Sequence, residues 1–254
     1  MTTVDVTHSG IWQLSSAIVA DGGECLVIDP GYFPRELVEL AGAAAERGRT
    51  THVVFTHGHW DHVLGWRSFP GAEVIGSTAL ADDVARGTPL AARNLASARD
   101  FDARWYVERP EPLAWPDRVR PIGDGETLQI GGATLRALAL PGHSPDGLAL
   151  VLDAPSILFA GDYLSPCEIP FVDDIDAYRD TLRRLLALLP ELEAVVPGHG
   201  PRLTSAQAAD IARADLDYLE ALAAGNDDVP LPRAAGVPGM QEHHAENLAA
   251  ARPR

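Results

Sequence analysis

The chain has 254 residues, of which 46 % are hydrophobic and 22 % charged, and it carries a formal net charge of −16. That balance belongs to a globular protein rather than a disordered one. A surface this acidic repels nucleic-acid phosphates instead of replacing their counterions, which argues against a nuclease. All 20 basic residues are arginine, so no lysine is available as a Schiff-base nucleophile.

No stretch approaches the ~20 apolar residues that cross a bilayer, and the opening MTTVDVTHSG has neither the basic nor the apolar region of a secretory signal. The two cysteines, Cys25 and Cys167, offer no disulfide framework. A cytoplasmic protein is expected, acting on a small molecule, with neither nucleic acid nor a membrane as partner.

In chain order, short apolar runs predict strands over 16–20 and 25–28, the second closing on Asp29-Pro30-Gly31. A helix is predicted over 34–47, with a proline in its first turn. A β-branched run over 52–56 stops at His57, and a strand over 72–75 and a helix over 78–86 follow. Residues 88–117 are rich in arginine, proline and aromatics and weakly periodic. Gly and Asp turns then separate strands over 119–121, 127–130, 134–139, 148–152 and 156–159. A helix over 176–189, a strand over 194–196, a helix over 205–224 capped by Ser205, and a last helix over 241–251 complete the reading. Residues 1–254 are taken as one domain, with a lid insertion at 88–117 and a helical tail at 205–254.

The strongest chemical signal is Thr56-His57-Gly58-His59-Trp60-Asp61-His62, directly after a strand. Alternate residues of an extended segment face one side, so His57 and His59 point together. Asp61 and His62 follow on a turn into a helix and approach from another direction. Three further candidates sit at strand ends: His143 in Leu140-Pro141-Gly142-His143-Ser144, Asp162 in Phe159-Ala160-Gly161-Asp162, and His199 in Val196-Pro197-Gly198-His199-Gly200. Imidazoles with carboxylates suit zinc, manganese or iron, whereas calcium and magnesium prefer oxygen shells. His8 and His52 read as ordinary structural residues, and Cys25 as a buried strand residue.

This ordered set resembles the metallo-β-lactamase superfamily, and its glyoxalase II-like hydrolases in particular, over roughly residues 10–199. The resemblance implies an α/β fold, a four-layer αββα sandwich with the site at the sheet edges. It implies one metal held by His57, His59 and His143, a second held by Asp61, His62 and His199, and Asp162 bridging both. Two Zn²⁺ ions are expected, with Mn²⁺ or Fe²⁺ as alternatives. The activity implied is hydrolysis of an ester, thioester or lactone by a hydroxide bridging the metals, oriented by Asp61 and Asp162. Tyr163, next to the bridging aspartate, is a candidate donor to the developing oxyanion.

The zinc β-lactamases often carry cysteine at the bridging position and are exported, so Asp162 argues against antibiotic hydrolysis. Glyoxalase II enzymes grip glutathione with basic residues of a C-terminal helical region. Here Arg213, Arg233, Arg252 and Arg254 are available, without a convincing match. Persulfide dioxygenases share these motifs but bind one iron through the equivalents of His57, His143 and Asp162, and form the main alternative. A phosphodiesterase and a non-catalytic member rank lower.

Residues 88–117 and 162–176 are the candidate substrate-selecting loops. Trp105 and Tyr106 form an apolar lid wall, a small satellite core or a homodimer contact. The segment Glu242-His243-His244-Ala245-Glu246-Asn247 resembles a His-x-x-Asn helix start of many bacterial members with unassigned substrates. It returns to the rim of the site or lies on the surface, and neither histidine is counted as a ligand.

Overall fold

The computed structural model describes residues 1–251. Arg252 and Arg254 of the expected tail lie outside them.

Two six-stranded sheets form the centre. The first has the order β1 (Thr3–His8), β2 (Ser15–Asp21), β3 (Glu24–Ile28), β4 (Arg49–Val54), β5 (Glu73–Ser77) and β6 (Arg120–Ile122). The second runs β12 (Leu203–Thr204), β11 (Ala194–Val196), β10 (Ile157–Phe159), β9 (Leu148–Leu152), β8 (Ala133–Ala139) and β7 (Thr127–Ile130). From β3 to β6 the strands are parallel, as are β10 and β11, while the remaining neighbours are antiparallel.

Strand periodicity explains the layering. Ala17 and Val19 of β2 turn inward to meet Leu148, Leu150 and Leu152 of β9, in a core shared by both sheets. Their alternates face outward: Ile18 and Ala20 pack beneath α1 (Pro34–Arg47) and α3 (Thr78–Arg86), and Ala149 and Val151 beneath α5 (Ile175–Leu188) and α6 (Ser205–Ala223). Every residue of β9 is buried, as expected for a strand covered on both faces. The result is the αββα sandwich that the motif set implies.

The helices over 34–47 and 78–86 and the strands over 127–130, 148–152 and 194–196 have the bounds expected. Among the strands and α-helices, β1, β12 and α4 (Pro89–Trp105), inside the supposed lid, go beyond the sequence reading. Thr88 caps α4 by accepting from Leu90 N, and Pro89 opens it. Its buried residues are Asn94 and Ala98, neither of which strengthens an apolar helical stripe, so the periodicity reads as weak. Trp105 and Tyr106, at its end, are 59 % and 90 % exposed, whereas Phe101 and Trp115 pack against a satellite core. At α6 the cap is Thr204 rather than Ser205, in a reciprocal capping box with Gln207.

Candidate metal centre

Parallel strands bring their C-terminal ends to one edge, and the loops leaving those ends carry the chemistry. His57 follows β4, Asp162 follows β10 and His199 follows β11, while α2 (Trp60–Val63) carries Asp61 and His62. The turn after β8 delivers His143. Close backbone approach is a requirement here. A Cβ on Gly198 would lie 2.2 Å from Asp162 Oδ1, and one on Gly142, at φ +129°, would lie 2.4 Å from Tyr178 N.

Seven side chains converge in two groups. His57, His59, His143 and Asp162 bring ligand atoms within 4.8 Å of one another, and so do Asp61, His62 and His199. In the first group His143 Nε2 lies 3.3 Å from His57 Nε2 and 3.1 Å from His59 Nδ1. Asp162 joins the two groups. Its Oδ2 is 3.5 Å from His57 Nε2 and 3.4 Å from His143 Nε2, while its Oδ1 is 3.2 Å from His62 Nε2 and 3.5 Å from His199 Nε2. Asp61 Oδ2 stands 3.7 Å from His62 Nε2 and 3.6 Å from His199 Nε2.

The far side of each ring explains the orientation. Carbonyl and carboxylate oxygens only accept, so a ring nitrogen facing one must donate. His62 Nδ1 donates to Asp29 Oδ2 (2.9 Å), His143 Nδ1 to Phe171 O (3.0 Å) and His199 Nδ1 to Trp12 O (3.0 Å). The Thr56 hydroxyl gives its proton to Asp29 Oδ2 (2.6 Å) and so accepts from His57 Nδ1 at 3.2 Å. Four imidazoles thus present the bare Nε2 inward when neutral, the arrangement in which a metal-binding histidine is usually held. Sequence reasoning does not single out Asp29 or Trp12. The available signal for Asp29 is an acidic residue closing a buried strand just before Pro30-Gly31.

Burial and charge act on these rings in opposite directions. Burial, helped by the neighbouring His62, pushes His57 well below the ordinary imidazole value and takes His143 down to about 3. Burial disfavours charge on His62 and His199 too, but their carboxylate neighbours outweigh it: His62 is raised and His199 reaches about 9. Asp162 is held well below the carboxylate range by His62, His199 and His57, against burial. Glu168, whose Oε1 is 3.9 Å from His199 Nδ1, is lifted to about 7 by burial.

A cation fits this donor set. His62 Nε2 and Asp162 Oδ1 are buried and lack hydrogen-bond partners, and a cluster of inward lone pairs is repulsive unless positive charge sits among it. Nitrogen and carboxylate donors together are those of zinc, manganese or iron.

The family model of the metallo-beta-lactamase superfamily matches residues 10–199. The chain belongs to this superfamily. Among curated superfamily relatives, the atrochrysone carboxyl ACP thioesterase AgnL7 of Paecilomyces divaricatus is 32 % identical over 185 residues, 72 % of this chain and 49 % of that protein. The chain spans about half the length of the curated relatives it matches. A metallo-beta-lactamase family protein from Thermus thermophilus superposes with a TM-score of 0.68 at 23 % identity, covering 98 % of this chain and 91 % of that one. The protein TTHA1623, solved in a di-iron-bound form, gives a TM-score of 0.60 at 28 % identity, covering 81 % and 96 %.

Tyr163 lies under the turn that carries His143. Its hydroxyl donates to Pro141 O (2.8 Å) and accepts from His143 N (3.0 Å), and its ring is 2 % exposed. The single phenolic proton is therefore already engaged by the turn that carries His143. His8 and His52 lie outside both groups, beside Ser15 and Thr51. Cys25 and Cys167 are unpaired. No helix among the described residues is long and apolar enough to cross a membrane.

A rim of aromatic side chains borders the second group. Trp12, 51 % exposed, sits at φ +47° with Gln13 at +55°. Its ring lies 6.5 Å from that of His199, 5.6 Å from Trp60 and 5.8 Å from Phe101. Two consecutive non-glycine residues in the left-handed region mark a backbone held there by its surroundings. Gln13 O accepts from Gly200 N (2.9 Å) and Ser15 N donates to Gly198 O (2.7 Å).

Proposed function

We propose that this chain is a binuclear metal-dependent hydrolase acting on a thioester, with esters and lactones as the wider substrate class. The observation that carries the reading is Asp162, whose two carboxylate oxygens face two separate donor groups at 3.2–3.5 Å. That the curated relatives are atrochrysone carboxyl ACP thioesterases supports the choice of bond.

His57 Nε2, His59 Nδ1 and His143 Nε2 would hold one divalent ion, Asp61, His62 and His199 the other, and Asp162 both. Zinc suits the donors best, with manganese or iron as alternatives. Bound there, the pair would supply Lewis acidity toward a carbonyl oxygen and toward water. Five neutral imidazoles and two carboxylates bring only two negative charges to four positive ones, so the site stays attractive to a developing oxyanion. Asp61 directs Oδ2 at its group, leaving its other oxygen to take the proton of the attacking water. Tyr163, with its proton committed to Pro141 O, positions the His143 turn. Trp12 and Trp60 supply an apolar wall for the acyl group. A cytoplasmic setting accords with the unpaired cysteines.

The single-iron dioxygenase reading uses His57, His143 and Asp162. It leaves the Asp61–His62–His199 group, with its hydrogen bond to Asp29, without a purpose. Metal analysis beside thiol release from an aryl or acyl thioester separates the readings. The hydrolase requires two ions per chain and activity lost to a chelator and restored by zinc or manganese. One iron per chain, with oxygen uptake on glutathione persulfide, would overturn it.

A further inference from the structure

The family match ends at residue 199, yet the tail beyond it grips the loop on which His143 depends. His143 Nδ1 donates to Phe171 O, so the ring's aim follows the position of that one peptide. Arg233 Nε holds the start of the loop through Ser165 O (2.7 Å), and its guanidinium is anchored on buried Asp215 of α6 at 2.5 and 2.6 Å. The other end is held from the last helix, α7 (Met240–Ala250).

There Asn247, 1 % exposed, brackets Phe171. Its Nδ2 donates to Pro170 O (2.6 Å) and to Tyr218 Oη (3.2 Å), and its Oδ1 accepts from Val172 N (3.2 Å). One side-chain amide thus fixes the carbonyl before Phe171 and the N–H after it. A turn earlier, the His243 ring lies over the Phe171 ring, 3.8 Å between centroids and 33° between planes. His244 Nδ1 is 2.7 Å from Tyr218 Oη. Met240 and Asn247 are the buried residues of α7. An amide is costly to bury unless its hydrogen bonds are met, so α7 docks well only where the Pro170–Val172 backbone is in register. The His-x-x-Asn segment therefore reaches the site's rim without supplying a ligand.

We propose that α7 is a latch and that Asn247 is a positioning residue, holding Phe171 O where it aims His143 Nε2 at the first metal position. This rests on the metal-centre reading above. The consequence is that first-site affinity depends on a residue of the tail that touches no ligand.

The test titrates cobalt(II) into metal-free full-length chain, reading the visible spectrum and chelator competition, for wild type, Asn247→Ala and Leu248→Ala. Leu248 packs on the core beside α5 and α6 and controls for simple loosening of α7. Asn247→Ala is expected to weaken cobalt binding at the His57–His59–His143 position by about 10-fold or more, the usual size for an outer partner of a ligand, and to alter the spectrum of that ion. Leu248→Ala, at equal or greater loss of Tm, is expected to keep both. Wild-type affinity in Asn247→Ala overturns the latch, as does an equal loss in Leu248→Ala. Wild-type chain that takes up no cobalt removes the metal centre itself, a separate failure.

Discussion

Asp29 accepts a hydrogen bond from His62 Nδ1 across 2.9 Å and, through Thr56, sets the tautomer of His57 as well. One carboxylate at the end of β3 thus serves a histidine in each donor group. It is buried and sits at φ +46°, a backbone setting that a non-glycine residue keeps only where its surroundings demand it. Asp29→Ala is expected to lower metal affinity about 10–100-fold, measured by chelator competition. Asp29→Asn, which keeps an acceptor oxygen, should lose less. Equal affinity in wild type and Asp29→Ala would remove Asp29 from the site.

How far the sequence reveals this centre follows from where each signal resides. The seven converging side chains are all histidine or aspartate beside Gly-rich turns at strand ends, a chemical pattern that reads linearly. Asp29, Trp12 and Phe171 act through a carboxylate in an ordinary turn and through two backbone carbonyls, which side-chain identity does not reveal. The sandwich is readable because strands such as β9, buried on both faces, are continuous apolar runs. Helix α4 is not, since it buries Asn94 and Ala98. Strands β1 and β12 escape for a related reason: β1 has no fully buried residue and β12 spans two residues.

Tyr163→Phe distinguishes positioning from direct catalysis. Thr181 Oγ1 also donates to Pro141 O (2.8 Å), so the substitution orphans chiefly the buried His143 N–H. A loss of about 1–3 kcal/mol follows, or roughly 2–10 °C in Tm, with turnover reduced less than about tenfold. Losing a true oxyanion donor costs about 10²–10³ in kcat. A fall of that size at unchanged Tm would restore the catalytic role.

Two glycines make a matched pair. In Gly198→Ala the new methyl meets Asp162 Oδ1 at 2.2 Å and the Gly161 carbonyl carbon at 2.9 Å, so the Asp162 carboxylate has to move. Overpacking of this kind costs about 1–3 kcal/mol, and displacing a reacting group by 1 Å costs about 10² in rate. Gly42→Ala, on α1 with nothing within 4 Å of its Cβ, should instead stabilise by about 0.5–1 kcal/mol and leave turnover unchanged. Thermal melts and thioester turnover on the two variants check both directions, and a fully active Gly198→Ala would show that Asp162 is not tightly placed.

In the metal-free protein the buried histidine rings, shifted both ways, together contribute most stability near the ordinary histidine pKa. His199 is raised to about 9, so the stability it contributes is complete below about pH 6.5 and is lost as pH climbs toward 9. His57 and His143 are lowered, the latter to about 3. They bind fewer protons folded than unfolded, so stability falls as pH drops from about 6.5 toward 3. Melting curves in excess chelator across pH 4–10 should therefore pass through a maximum in between. On the proposed two-metal reading, bound cations would replace the protons on His62 and His199, so metal uptake at pH 7 should release protons, and affinity should rise with pH up to about 9. Calorimetry in buffers of different ionisation enthalpy measures that release. Uptake with no proton release would mean that His62 and His199 stay protonated and do not ligate.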